Sequence, residues 1–259
     1  MWSGLEARAT RGYPRRVNLD VVLLPKQLEP RHLDGRTVVV FDVLRATTTM
    51  AAALAAGVAE IRVFDGLAEA SHAASRHRGA RVLCGEENCL PPQGFDLGNS
   101  PGAFRPDLHA GRTVYMSTTN GTRAIVAARE ARAVFTGALV NASTVAAAVT
   151  AAGNDVTLLC AGTGGDVALE DVLGAGAVAD ALKRRTPFRA ESDTPLLARR
   201  LFLDAAGDLR AALMESRGGR NVIAAGLLPD IDFAARLDAL EGVGFVERQT
   251  LSVKPWRSD

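Results

Sequence analysis

The chain has 259 residues, 47% of them hydrophobic, and its 30 Lys and Arg against 29 Asp and Glu leave a net charge of +1. That is material for one large core or two small ones, and so even a balance excludes the electrostatic footprint of a binder of nucleic acid or anionic membrane. No stretch reaches the roughly eighteen uninterrupted apolar residues of a membrane helix, and three cysteines without C-x-x-C spacing fit free thiols of a cytoplasmic protein rather than a disulfide framework or a zinc site.

Residues 1–16 are basic, lack the apolar stretch of a signal peptide and read as a mobile tail. "VNLDVVLLP" (17–25) and "TVVVFD" (37–42) are short valine-rich runs, the pattern of strands buried on both faces. An alanine-rich helix is predicted over 48–57, ended by Gly57, and "EIRVFD" (60–65) returns to strand character. Those segments have the length of a parallel crossover unit. The alternation repeats through "ARVLCG", "RTVYMS", "RAVFTG" and "DVTLLCAG", each of the last three followed by an alanine-rich helical stretch.

Beyond Arg185 the pattern is helical, with Ser192 or Asp193 as a cap, until the extended "VGFVERQTLSV" (243–253). The predicted class is therefore α/β: a largely parallel sheet flanked by helices in three layers, with a distinct, more helical C-terminal part. A boundary near 151–154 would separate a main α/β domain, 17–150, from a second α/β part or subdomain, 151–259, packed on the first.

In parallel α/β sheets ligands bind at the carboxyl ends of the strands. Three strand exits share a chemistry there: Asp42, Arg45, Thr47 and Thr48; Ser117, Thr118, Thr119, Asn120, Gly121, Thr122 and Arg123; and Gly162, Thr163, Gly164. Hydroxyls and open backbone N–H groups at a helix start suit a phosphate, and Arg45 and Arg123 would add bidentate contacts. At any single exit these residues are ordinary helix caps; three exits together favour anion binding.

Asp42, Glu170 and Asp171 are the candidate ligands of a hard cation such as Mg²⁺, with Glu86 and Glu87 as further acids. The long loop 86–104 is expected to be ordered and to offer Asp96, Asn99 and Ser100, in competition with a purely structural turn. "FDVLRAT" fails the D-x-D-x-T pattern at Leu44, and "GAGAVA" (174–179) lies inside a helical pattern, where close packing explains it better than dinucleotide binding.

These segments resemble the 2-phosphosulfolactate phosphatase family. The resemblance runs in order through "DVLRATTT" (42–49), "GFDLGNSP" (94–101), "STTNGTRA" (117–124), "NAS" (141–143), "CAGTGGDVALEDVLGAG" (160–176) and a weaker "SRGGRNVIAAGLLPDIDF" (216–233). It implies a Mg²⁺-dependent phosphatase releasing phosphate from a small phosphorylated 2-hydroxy acid, with no nucleic-acid or membrane partner and a homo-oligomer left open. Asp42, Arg45, Glu86 and Arg123 are the expected catalytic groups, Asp42 as metal ligand or as nucleophile. Thr47, Thr48, Asn99, Ser100, Thr118–Thr122, Gly162 and Thr163 are the expected substrate contacts. One departure is Glu87, acidic where the family usually carries arginine, a replacement that bears on substrate preference, phosphate affinity or activity. The rival expectation is a non-catalytic binding protein for a phosphorylated metabolite.

Overall fold

The computed structural model describes residues 16–257, so all but the last residue of the expected tail lies outside the described residues. The strands are β1 (Val17–Val22), β2 (Thr37–Phe41), β3 (Glu60–Phe64), β4 (Arg81–Gly85), β5 (Thr113–Ser117), β6 (Ala133–Gly137), β7 (Val156–Cys160), β8 (Phe188–Ala190), β9 (Gly244–Glu247) and β10 (Ser252–Pro255). Between them run the helices α1 (Ala46–Ala55), α2 (Leu67–Ser75), α3 (Pro106–His109), α4 (Gly121–Ala127), α5 (Ala142–Ala152) and α6 (Leu169–Arg185). Four more, α7 (Thr194–Ala205), α8 (Leu209–Glu215), α9 (Arg217–Ala224) and α10 (Leu228–Ala234), fill the C-terminal part before the last two strands.

Among the described residues the strands form one sheet in the order β4-β5-β3-β10-β9-β6-β2-β7-β1-β8. The α/β class, the largely parallel pairing and the helical C-terminal region are those predicted. Strands from both sides of 151–154 share the sheet, and β7 lies between β2 and β1. The crossover predicted over 37–65 does not pair neighbours, because β6, β9 and β10 stand between β2 and β3. The extended segment near the C-terminus causes this. It folds into an antiparallel hairpin, β9 on β10, whose outer edges pair antiparallel with β6 and β3.

Three successive antiparallel pairings leave the parallel block β4-β5-β3 pointing opposite to the block β6-β2-β7-β1-β8 in a flat sheet. The sheet is not flat. Twist of roughly 20–25° accumulates at each step, and residues of both blocks, Val38 and Val40 with Ile61, Val114 and Met116, share an apolar cluster with Met50 and Leu54 of α1 and Ile125 of α4. The sheet thus curves around α1 and α4, and the carboxyl ends of β2, β4, β5 and β7 come together.

The valine runs alternate as strands buried on both faces should. Val38 and Val40 point into the cluster just described, while Val39 and Phe41 pack with Leu158, Cys160 and the helices α5 and α6. Gly176 of α6 lies against the carbonyl of Ala198 in α7, where a methyl group would collide. The "GAGAVA" motif is accordingly a helix-packing device. Thr194, at the start of α7, follows Asp193 at the cap position, but it is Ser192 whose hydroxyl reaches Asp20 and accepts from the Thr194 amide.

Candidate active site

The strand exits enclose a cavity of about 220 Å³. Asp42, Leu44 and Arg45 enter it after β2, Glu86, Asn88 and Cys89 after β4, Asn99 from the long loop, Thr119 and Asn120 after β5, and Thr163 and Gly164 after β7. Arg217, Gly218 and Asn221 of α9 close the remaining side. Asp42, Arg45, Glu86, Asn99, Thr119, Asn120 and Thr163 are therefore brought together as the sequence suggested.

The three-threonine run after Arg45 does something other than meet phosphate. Thr47 accepts from the Asp42 amide and donates to the Asp42 carbonyl, both at about 3 Å; Thr48 donates to the Val43 carbonyl at 2.7 Å; and Thr49 donates to the Asn99 carbonyl at 3.0 Å. All three are buried, and a main chain turning sharply inside a core needs such partners. Thr118 and Thr122 likewise exchange amide and hydroxyl bonds with one another at the start of α4. These threonines build the turns, and they do not line the cavity.

Arg123 lies on the other side of α4. Gly121, Thr122, Ala124 and Ile125 are buried, whereas the Arg123 side chain is 62% exposed and pairs with Asp65 at 3.0 Å beyond the end of β3. Arg45 and Arg123 therefore do not converge. The second guanidinium of the cavity is Arg217, which sequence reasoning passed over although "SRGGRN" stood in the weaker stretch of the resemblance.

Arg45 is buried and tightly held. Its Nη1 donates to Asp230 Oδ2 at 2.6 Å and to Ser100 Oγ at 3.2 Å, and its Nη2 donates to the Cys89 carbonyl at 2.5 Å. Ser100 is spent on this arrangement, since its hydroxyl also donates to Asp230. Asp230, on α10, is the counter-ion that sequence analysis missed. The turn carrying Cys89 is itself constrained, with Asn88 and Cys89 both at positive φ, a conformation that for residues other than glycine costs of order 1–3 kcal/mol. Glu86 secures it by accepting the Cys89 amide at 3.1 Å, while its other oxygen accepts the Thr119 amide at 2.8 Å and the Thr119 hydroxyl.

Asp42 is 7% exposed. Its Oδ1 accepts from the Ala46 amide at 3.1 Å. Gly121 packs so close that a Cβ there would strike Asp42 and Ala46. Burial, followed by the charges of Glu86 and Glu170, pushes the Asp42 carboxyl up from 3.8 to about 7 against the opposing pull of the Ala46 and Gly121 amides. Asp171 is raised well above the ordinary range, again by burial and then by Asp42 and Glu170. Its two oxygens accept from Val43 at 2.8 Å and Gly162 at 2.9 Å, so Asp171 clamps the β2 and β7 exits together and Gly162 is held rather than offered to a ligand.

Glu170 is buried beside the cavity wall. One oxygen lies 3.4 Å from the Thr163 hydroxyl, and the other, Oε2, has no hydrogen-bond partner among the described residues. Only a glycine at 218 lets α9 pass over it, since a Cβ there would overlap Oε1. No group of three or more His, Cys, Asp or Glu side chains among the described residues is placed to hold a metal by itself. Mg²⁺ asks for less, because it keeps several waters and takes one or two carboxylates with substrate oxygens. Asp42 and Glu170, the latter with an orphaned oxygen, offer the one or two carboxylates that such an ion takes. Glu87, where the family usually has arginine, is exposed, bonds through its backbone to Leu90 and stands outside the cavity lining.

The family model for 2-phosphosulpholactate phosphatase matches residues 22–249, a span that includes every residue lining this cavity. The chain is 40% identical over 225 residues to a probable 2-phosphosulfolactate phosphatase of Deinococcus radiodurans, covering 85% of this chain and 90% of that protein. It is 34% identical over 227 residues to one of Carboxydothermus hydrogenoformans, covering 88% and 92%, and 28% identical over 222 residues to one of Clostridium tetani, covering 86% and 94%. With a model matched across nearly the whole described chain and relatives aligned over most of both chains, the chain belongs to the 2-phosphosulfolactate phosphatase family.

Proposed function

We propose that this protein is a Mg²⁺-dependent phosphatase that hydrolyses 2-phosphosulfolactate to sulfolactate and phosphate. Family membership and the names of the relatives support the substrate. The charge balance of the cavity supports the cation. Asp42 and Glu86 face the cavity and Glu170 adjoins it, whereas the Arg45 charge is already matched by Asp230. A phosphate ester approaching that floor meets net repulsion unless a cation intervenes. Asp42 and Glu170 would hold Mg²⁺, which when bound neutralises phosphoryl oxygens as charge builds on them.

The chain's own groups then position and exclude. Asp230 and Ser100 take both N–H groups of Arg45 Nη1 and the Cys89 carbonyl takes one of Nη2, which leaves Nε–H and the second Nη2 N–H for phosphoryl oxygens. Asn99, which also lines the cavity, would contribute a further polar contact through the N–H groups of its side-chain amide. Glu86 would take a proton from the attacking water as the new P–O bond forms and the ester P–O bond breaks, and the departing alkoxide would take a proton from a solvent water to become the hydroxyl of sulfolactate. The free thiols of Cys84, Cys89 and Cys160 suit a reducing cytoplasm, and no described helix is long and apolar enough to cross a membrane.

The test is phosphate release from 2-phosphosulfolactate, with Mg²⁺ and with EDTA, by the wild type and Asp42→Asn. Turnover is expected only with the cation and is expected to fall by orders of magnitude in the variant while the fold persists. Full turnover by the variant removes Asp42 from the chemistry. A stoichiometric complex that saturating Mg²⁺ never turns over marks a binding protein instead.

A further inference from the structure

We propose that Arg217, with Asn221 one turn further along α9, receives the anionic tail of the substrate, its sulfonate or carboxylate, and that it does so by exchanging its present contact with Asp166. The inference rests on the reading of the cavity as a phosphate-ester site and specifies its other end.

The cavity has a floor and a mouth. Asp42 and Arg45 are 7% and 3% exposed, while the side chains of Arg217 and Asp166 are 46% and 72% exposed. A phosphoryl group placed at the floor leaves the rest of a small acid pointing toward α9. The two arginines of the lining differ in what holds them. Arg45 is fixed by a buried carboxylate, and releasing it would strand that charge. Arg217 is bound through Nη1 to an exposed carboxylate; in such a pair water and counter-ions replace a lost partner readily, so a ligand anion displaces it at little cost.

The wall that bears Arg217 suits an anion in its other members too. Thr163, Gly164, Gly218 and Asn221 accompany it, none of them acidic; the carboxylates of the lining, Asp42 and Glu86, come from the β2 and β4 exits instead. Its backbone is anchored although its side chain is not. Ser216 caps α9 by accepting the Gly219 amide at 2.9 Å, and Gly218 seats the helix against Glu170. A long cationic side chain on a fixed root can follow either a planar carboxylate or a tetrahedral sulfonate.

The experiment compares 2-phosphosulfolactate, 2-phospholactate, which lacks the sulfonate, and p-nitrophenyl phosphate, which lacks any second anion. In Arg217→Met the KM for 2-phosphosulfolactate should rise about 10- to 100-fold, the range for a lost charged hydrogen bond, and its kcat/KM should fall by that factor relative to p-nitrophenyl phosphate. Arg217→Lys should recover part of the loss, and the thermal midpoint should not move. A matching fall with 2-phospholactate assigns the carboxylate to Arg217; a fall confined to 2-phosphosulfolactate assigns the sulfonate. Equal effects on 2-phosphosulfolactate and p-nitrophenyl phosphate, or none, overturn the proposal. If the wild type turns over no ester, the function reading fails alone, and titration with sulfoacetate decides the subsite: binding weakened at least about tenfold by Arg217→Met upholds it, and equal or absent binding ends it.

Discussion

Asp42→Asn should stabilise the protein at alkaline pH while abolishing its activity. A carboxyl raised from 3.8 to about 7 by the fold is harder to ionise in the folded protein than in the unfolded chain by about 4 kcal/mol, at about 1.4 kcal/mol for each factor of ten. Below about pH 4 both states hold the proton, and the stability linked to it is fully present. As pH rises toward about 7 the unfolded chain loses its proton while the folded protein keeps it, and that stability drains away; above about 7 the loss is complete. Asparagine carries no such charge. It does replace one oxygen by an amino group near the Ala46 and Gly121 amides, and a displaced donor of that kind removes about 1–3 kcal/mol of the gain. The expected net advantage over wild type, without metal, is therefore about 1–3 kcal/mol at pH 8, shrinking toward pH 5. Relief of Asp171, which Asp42 also pushes up, works in the same direction. Urea denaturation at a series of pH values in EDTA measures it, and excess Mg²⁺ should restore stability to the wild type but not to the variant. Parallel pH profiles for the two proteins, or a variant less stable at pH 8, would refute the account of a carboxylate held against burial and like charge.

Three further substitutions probe the surroundings of the site. Asp230→Ala strands the buried Arg45 guanidinium and should cost about 3–5 kcal/mol in urea denaturation, with phosphate release collapsing; an unchanged midpoint would show Arg45 re-paired elsewhere. Gly218→Ala drives a methyl group into Glu170 and should lose about 1–3 kcal/mol, together with Mg²⁺ affinity measured by titration. Arg123→Ala removes only an exposed pair with Asp65, so stability should change by no more than about 1 kcal/mol and kcat/KM should not change; a large fall in kcat/KM would return Arg123 to the site.

What the sequence disclosed and what it concealed divide along the distance over which each feature is decided. Strand exits are local: a valine run ending in Asp42 or in Ser117 announces its own end, and the ligand crevice of an α/β sheet follows from there. The role of a hydroxyl at such an exit is not local, because Thr47 capping a turn and Thr47 meeting a phosphate have the same sequence. In the buried turn the Thr47 hydroxyl accepts the Asp42 amide and joins the Thr47 amide on the Asp42 carbonyl. Arg123 was misplaced by the same ambiguity, one residue of helical rotation separating it from buried Thr122. The hairpin that parts β2 from β3 is formed by residues nearly two hundred positions later, so the curvature that gathers the exits is invisible in any one window.

The helices α9 and α10 carried the weakest resemblance, yet their charged residues complete the cavity through two ion pairs of opposite sense. In one, an arginine of the β2 exit, Arg45, is met by an aspartate of α10, Asp230, both buried; in the other, an arginine of α9, Arg217, is met by an aspartate of the β7 exit, Asp166, both exposed. Removal of either member of the first leaves an uncompensated charge in a low-dielectric setting, which makes it a fixed strut. Exposure makes the second exchangeable. A site that must hold a phosphoryl group in one orientation and still admit and release a multiply charged acid needs both kinds of contact, and burial alone distinguishes which arginine serves which end.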